Sequence, residues 1–214
     1  MKKTLLTGIL TILFVSANYA QVKVGVTAGL NASSFVQSGA DNKHKAGFQA
    51  GLVADFGITE NFSIVPELLF SQRGGKHKAL NAMDEQGMPA IASESLRINY
   101  LQLPVNLAYK FDVGDGSKLF VFAGPYFGYG LSGRGKIETK TADAKVNVSG
   151  KVEFGSKEDE LKRFDLGINA GIGYQFDNVY FKLQYNPGLT NLSNEKKISM
   201  KNTNISLSAG YYFI

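Results

Sequence analysis

From Val22 onward the chain repeats one pattern, in which apolar and polar residues alternate with a period of two. In 22–31, Val22, Val24, Val26, Ala28 and Leu30 share one parity, while Lys23, Gly25, Thr27, Gly29 and Asn31 share the other. Residues 48–58 repeat it, with Phe48, Ala50, Leu52, Ala54, Phe56 and Ile58 against Gln49, Gly51, Val53, Asp55 and Gly57. The run 164–176 is cleaner still, because Phe164, Leu166, Ile168, Ala170, Ile172, Tyr174 and Phe176 alternate without a break. A period of two belongs to β-strands with unlike faces. The same test along the chain gives eight segments, near 22–32, 47–58, 62–73, 96–110, 118–131, 164–176, 179–190 and 203–213.

The connections between these segments alternate in length. Thr59-Glu60-Asn61, Asp112 to Ser117 and Asp177-Asn178 are short, whereas 33–46, Gly74 to Ser95, Ser132 to Arg163 and Asn191 to Asn202 are long. An up-and-down antiparallel barrel with ends in two compartments produces that rhythm. Eleven residues at about 3.3 Å rise, tilted about 45°, climb about 26 Å, close to the ~25 Å apolar band of membrane barrels. No apolar run after Ala20 approaches the ~18 residues that a spanning helix needs. The sequence therefore predicts an all-β fold, an eight-stranded antiparallel up-and-down transmembrane β-barrel following a cleaved signal peptide.

Lys2 and Lys3, the apolar stretch Leu5 to Val15 and the small or polar residues Ser16 to Ala20 form that signal. Residues 1–20 are thus expected to be removed and 21–214 to form the barrel domain, with cleavage after Ala17 or after Ala20. The chain has no Cys, so neither a lipid-anchored cysteine nor a disulfide is available. Without Lys2 and Lys3 the formal charge falls from +5 to +3, and acids interrupt the basic residues of 134–145 and 157–163, so nucleic acid is not an expected partner.

The parity that meets lipid separates a membrane barrel from a soluble carrier. A carrier turns its apolar face inward and covers the outside with Lys and Glu. Here the polar parity consists mainly of Gly, Ser, Asn, Gln and Thr, which suits a narrow hydrated interior. Glycine, at 24 of 214 residues, is well above the roughly 7% norm. Tyr174, Phe176, Tyr185, Tyr211 and Phe213 fall on the apolar parity toward strand ends, as an interfacial girdle requires. Two segments are ambiguous. Ile98 and Tyr100 oppose the parity of Leu101, Leu103, Val105, Leu107 and Tyr109, and in 118–131 both parities carry apolar or aromatic residues. Pro66, Pro104 and Pro125 each remove a ladder donor, so a bulge or irregularity is expected beside each.

Four runs, in order along nearly the whole mature chain, resemble the PorT-like outer-membrane β-barrel family of Bacteroidetes. They are Pro66 to Ser71 (PELLFS), Asn99 to Val105 (NYLQLPV), Phe164 to Gly167 through Gly171 to Tyr174, and Tyr185 to Asn191 (YNPGLTN). The resemblance implies an eight-stranded barrel related in architecture to the OmpA transmembrane domain, in a family mostly without assigned activity. One member is associated with secretion of surface proteins. The chain ends on Tyr212-Phe213-Ile214 rather than on an aromatic residue, and no periplasmic wall-binding domain is expected after the last strand.

No catalytic or metal-binding pattern emerges. His44 and His77 fall in expected external loops beside Lys43 and Lys45, or Lys76 and Lys78, and no Ser/His/Asp arrangement has a readable spacing. Two His without Cys do not form a ligand set, and no cofactor is called for. Gly128 to Gly133 matches G-x-G-x-x-G, but no amphipathic helix follows, as phosphate binding by that motif requires. Ser156 to Asp159 matches a capping box and at most starts a turn of helix.

The inward parity carries Lys23, Lys182 and Arg73 against Asp55, Glu67 and Asp165. Charges in a narrow bore are costly unless paired. A lumen network is therefore expected, with Lys23–Asp55 and Arg73–Asp165 as the favoured pairs. An eight-stranded bore just holds its own side chains. The function classes are then a non-enzymatic envelope or surface protein of the bacterial outer membrane, with periplasmic termini and external loops, or a small pore or secretion accessory. Expected partners are outer-membrane lipid, lipopolysaccharide and surface or secretion-machinery proteins, and the barrel is expected to be monomeric.

Overall fold

A computed structural model describes residues 22–37, 41–83, 89–140, 145–158, 160–195 and 199–213. The expected leader and both cleavage positions lie outside these residues, as does Asp159 of the capping-box run. Among the described residues nine strands form: β1 (Val22–Gln37), β2 (Asp41–Gly57), β3 (Phe62–Met83), β4 (Pro89–Gly114), β5 (Ser117–Lys140), β6 (Lys145–Lys151), β7 (Phe164–Phe176), β8 (Val179–Pro187) and β9 (Met200–Tyr212). All pairings between them are antiparallel. Eight strands close into a ring in the order β4-β3-β2-β1-β9-β8-β7-β5, sealed by β4 against β5. The ninth, β6, stands outside the ring and pairs only with the upper part of β5.

The outside of the ring is apolar. Val24, Leu52, Ile168 and Leu207 are 45, 56, 46 and 59% exposed, whereas Thr27, Asn31, Gln49, Gln102, Asn106, Ser206 and Ser208 are buried. Aromatic pairs mark both rims. Phe62, Tyr109 and Phe111 stack edge to face at 4.7 and 4.6 Å at the short-turn end, and Tyr129 meets Phe164 at 5.2 Å at the other. The short turns follow from local chemistry. Asp115 and Gly116 take φ of 52° and 74° between the paired Gly114 and Ser117, as a two-residue hairpin of the Asp-Gly kind demands. Both ends of the ring's chain, Val22 and Tyr212, lie at this same end.

Several expectations change. The segments expected to end near residues 73, 96 and 131 continue as paired strand, so most of the long connections are extended hairpins rather than loops. Above the apolar band both faces meet water, and the alternation that marks a strand fades there. His77, opposite Asn42, and His44, opposite Gly75, therefore sit on strands and not in loops. The run Gly128 to Gly133 is part of β5, and the segment after Ser156 is a turn without helix among the described residues. The ladders are interrupted beside Pro66 and Pro104, but pairing resumes in the same register, and Pro125 pairs regularly with Ile168. The shifts fall elsewhere. One leaves Leu131 as an extra residue between Asn99↔Ser132 and Tyr100↔Gly130.

The two-sided apolar character of β5 also has a structural cause. Leu119, Val121 and Phe127 face outward. Phe120, Phe122 and Tyr126 face inward, each directly opposite a glycine of β7: Gly173, Gly171 and Gly167. A Cβ on those glycines would stand 2.1 to 2.5 Å from the opposing ring. Tyr180 lies over Gly210 in the same way, at 2.2 Å. These four inward aromatics take the space that a side chain on the facing glycine would need.

Two outcomes follow from this packing. Leu207→Arg, on the lipid face at mid-height, should lose about 2–4 kcal/mol in urea unfolding from lipid vesicles, while an outside bathed in water would tolerate it. Gly210→Val should cost about 1–3 kcal/mol, and most of that loss should vanish in a Tyr180→Ala background, because all three nearest atoms belong to Tyr180.

Candidate functional site

The inward parity brings charged and amide side chains from every wall into one bore. Asp55 on β2 and Lys110 on β4 form an ion pair toward the short-turn end. Deeper in, Lys182 on β8 donates to Glu67 Oε1 on β3, with both side chains almost wholly buried (4% and 2% exposed). β3 and β8 are separated by three strands in either direction around the ring. This pair therefore spans the full diameter. Lys182 Nζ also lies 5.6 Å from the centre of the Phe122 ring. A cavity of about 20 Å³ lies between the two pairs, bounded by Asp55, Glu67, Lys110, Lys182, Tyr180 and Tyr212, which is room for about one water.

Toward the opposite end Arg73 on β3 is fixed from three sides. Nη2 donates to Gln102 Oε1 at 3.0 Å, Nη1 donates to the Tyr126 hydroxyl at 3.3 Å, and Nη1 lies 4.0 Å from Asp165 Oδ2. The Tyr126 hydroxyl donates onward to Asp165 Oδ2 at 3.2 Å, and Asn202 Nδ2 donates to the same oxygen at 2.9 Å. The guanidinium also stacks 4.9 Å from the centre of the Tyr126 ring. Arg73 thus reaches its carboxylate both directly and through a tyrosine. An amide chain links the remaining walls. Asn204 donates to Asn31 (3.3 Å) and Asn186 (3.2 Å), Asn186 donates to Asn169, and Asn169 donates to Asn106 (3.2 Å). Burying such groups is tolerable only because they find one another.

Apolar residues shut the end opposite the chain termini. Phe35, Ile98, Tyr100, Leu192 and Met200 form a buried cluster, with Leu96, Phe154 and Leu161 packed against it. The connection before β7 is tied to the one before β9. Lys162 N–H donates to Leu192 O (2.9 Å), and Asn194 Nδ2 donates to Gly155 O (3.0 Å) and Glu160 O (2.9 Å). At the short-turn end a chamber of about 550 Å³, lined by Lys23, Asp55, Glu60, Lys110, Lys118 and Gln175, opens outward beneath the Asp55–Lys110 pair.

Of the six charges read from the sequence, Asp55, Glu67, Arg73, Asp165 and Lys182 are buried inside the ring, and Arg73 does meet Asp165. The expected Lys23–Asp55 pair gives way to Lys110–Asp55. Lys23 is the cross-strand partner of Asp55 but sits only half-buried at the chamber, with Nζ 6.0 Å from the Tyr212 ring centre. Lys110 reaches Asp55 from two strands away. Its parity, shared with Tyr100, Gln102 and Asn106, was the signal that could have found it. Tyr126, Asn202 and the asparagine chain carried the same signal. The apolar cluster did not, because Ile98 and Tyr100 read only as a register conflict.

Comparison with known proteins adds to this geometry. Residues 16–194 match the family described as outer membrane protein beta-barrel domain. No curated protein matches the sequence. Among solved structures, the chain is similar to Ail, the attachment invasion locus protein of Yersinia pestis, in complex with the heparin analogue sucrose octasulfate. That likeness has 14% identity, covers 90% of this chain and 99% of that one, and has a TM-score of 0.44. Neisserial surface protein A is similar at 13% identity, 89% and 97% coverage and a TM-score of 0.42. The N-terminal β-barrel domain of Pseudomonas aeruginosa OprF is similar at 15% identity, 87% and 97% coverage and a TM-score of 0.33. With most of its length matched by that one family and an antiparallel ring greasy outside and polar within, the chain belongs to the outer membrane protein beta-barrel domain family.

Proposed function

We propose that this chain is a non-enzymatic surface protein of the bacterial outer membrane, of the PorT-like kind its sequence resembles, and that its bore is closed. The reading is carried by one observation: Glu67 and Lys182 meet across the whole diameter. The Arg73–Tyr126–Asp165 cluster and the apolar cap occupy the path above them. Asp55, Glu67 and Asp165 are committed to cations, which argues against a free general base. In this reading the leader of residues 1–20 directs export and both termini lie in the periplasm. Strands β5 and β6 and the knitted segments 152–158, 160–163 and 188–195 then form the outer surface, where protein partners dock. Because these segments are hydrogen-bonded to one another, they offer a fixed surface rather than loose arms.

Purified protein in a planar bilayer should pass no resolvable current steps, and steady stepwise conductance by the wild type would replace the closed-plug reading with a pore. Glu67→Ala and Lys182→Ala should each cost about 3–5 kcal/mol, since either leaves an uncompensated buried charge. The double variant should cost clearly less than the sum of the two. Orientation is tested separately. Ser156→Cys should react with a membrane-impermeant maleimide on intact cells, and labelling only after the outer membrane is opened would reverse the assigned topology.

A further inference from the structure

The lipid-facing surface of β3, β4 and β5 ends in a row of hydrogen-bonded polar side chains. Gln72 Nε2 donates to Asn99 Oδ1 at 3.2 Å, and Asn99 Nδ2 donates to Ser132 Oγ at 3.0 Å. Directly on the lipid side of this row lie the exposed Phe70, Leu101 and Leu131. One rung away from the lipid, the ladder aligns Gly74, Arg97, Arg134 and Lys151 across β3, β4, β5 and β6. The next rung aligns Lys76, Ser95, Lys136 and Ser149, and Lys43 on β2 continues it opposite Lys76. Both rungs keep the outward parity.

Cations therefore crowd one side of the barrel. Lys45 crosses Gly74, where a Cβ would stand 2.9 Å from Lys45 Cδ, and donates to Ser95 Oγ at 3.2 Å. Lys45 lies above the apolar band. Burial, and then the charges of Arg97, Lys76 and Lys136, hold its ammonium below the ordinary lysine range. Neither rung contains a carboxylate among the described residues. The nearest of the same parity, Glu138, stands one rung higher and binds Lys136 at 2.7 Å.

Of these cations, Arg97, Arg134 and Lys151 border a groove of about 780 Å³. Gln72, Asn99, Arg97, Arg134, Lys151 and Arg163 line it, with the exposed Leu131 and the carboxylates of Glu153 and Glu160. Glu160 is engaged by Lys157 at 3.8 Å. Arg163 is set between two rings, with Cζ 5.7 Å from the Tyr129 centre and 5.2 Å from that of Phe154, and its Nη1 donates to Gly130 O at 3.4 Å. The forked guanidinium groups of Arg97 and Arg134 above a polar row, with Arg163 held beside them, suit phosphate oxygens.

We propose that this groove binds the phosphorylated saccharide headgroup of an outer-leaflet glycolipid, whose acyl chains run down over Leu131, Leu101 and Phe70. The choice of a lipid over a soluble anion follows from continuity. The groove opens onto the lipid-facing wall, and successive rungs at about 3.3 Å rise per residue and about 45° tilt place the cations only about 5 and 9 Å above the polar row. A phosphate attached to an acylated sugar falls within that range. The proposal rests on the outward-facing assignment made above, and the Ser156→Cys labelling tests that assignment independently of lipid binding.

The test is native mass spectrometry of the whole barrel in detergent with bis-phosphorylated lipid A, dephosphorylated lipid A or phosphatidylglycerol, with and without millimolar inorganic phosphate. Wild-type protein should retain bis-phosphorylated lipid A at least about tenfold more tightly than the other two lipids, and inorganic phosphate should not displace it. Arg97→Ala/Arg134→Ala/Lys151→Ala should lose that preference, while Lys118→Ala at the other end keeps it. Folding is checked by the heat-dependent shift in gel mobility. If the triple variant does not fold, Arg134→Ala alone carries the comparison, with a several-fold loss expected. Equal retention by wild type and variant, equal retention of dephosphorylated lipid A or phosphatidylglycerol, or displacement by inorganic phosphate would each overturn the proposal. If labelling places Ser156 in the periplasm while the lipid A preference persists, the topology fails and the binding chemistry stands.

Discussion

A backbone surrounded by hydrocarbon has no solvent to bond with, and each orphaned amide or carbonyl there costs several kcal/mol. The contact between β4 and β5 is therefore the condition for the rest of the molecule, because it removes the last free edge from the ring. With eight strands, closure leaves a bore about as wide as the side chains that line it. Whatever the inward parity carries must fit and find partners inside. Glycines opposite Phe120, Phe122, Tyr126 and Tyr180 meet the first demand. The ion pairs and the asparagine chain meet the second.

The architecture was legible in the sequence because lipid on one side and a polar interior on the other write a period of two. Runs such as Phe164 to Phe176 needed nothing more, and the lengths of the short turns gave strand order and direction. The alternation fades where that contrast ends. The upper halves of β3, β4 and β5 are paired like the lower halves, yet Lys76, His77 and Ser95 read as loop because water bathes both faces. Strand β6 was missed for the same reason.

The interior was legible by type and only partly by pairing. Parity put Asp55, Glu67, Arg73, Asp165 and Lys182 inside, since a side chain's face depends on counting residues along one strand. Which cation meets which anion depends on the angular position of each strand around the ring and on side-chain height. Lys23 and Asp55 are ladder partners, but Lys110 takes the carboxylate from two strands away. The apolar cap was illegible for a further reason: Phe35, Tyr100 and the pair Leu192 and Met200 come from three distant stretches, and no local pattern unites them.

The crossing of Glu67 to Lys182 also bears on how the chain reaches its final form. The acid belongs to the third strand and its cation to the last but one, so a sheet laid down hairpin by hairpin carries an unneutralised carboxylate until the C-terminal strands arrive. Closing the bore would bury that carboxylate at a cost unless its cation is already in place. The same late strands thus close the ring and supply the cation for Glu67.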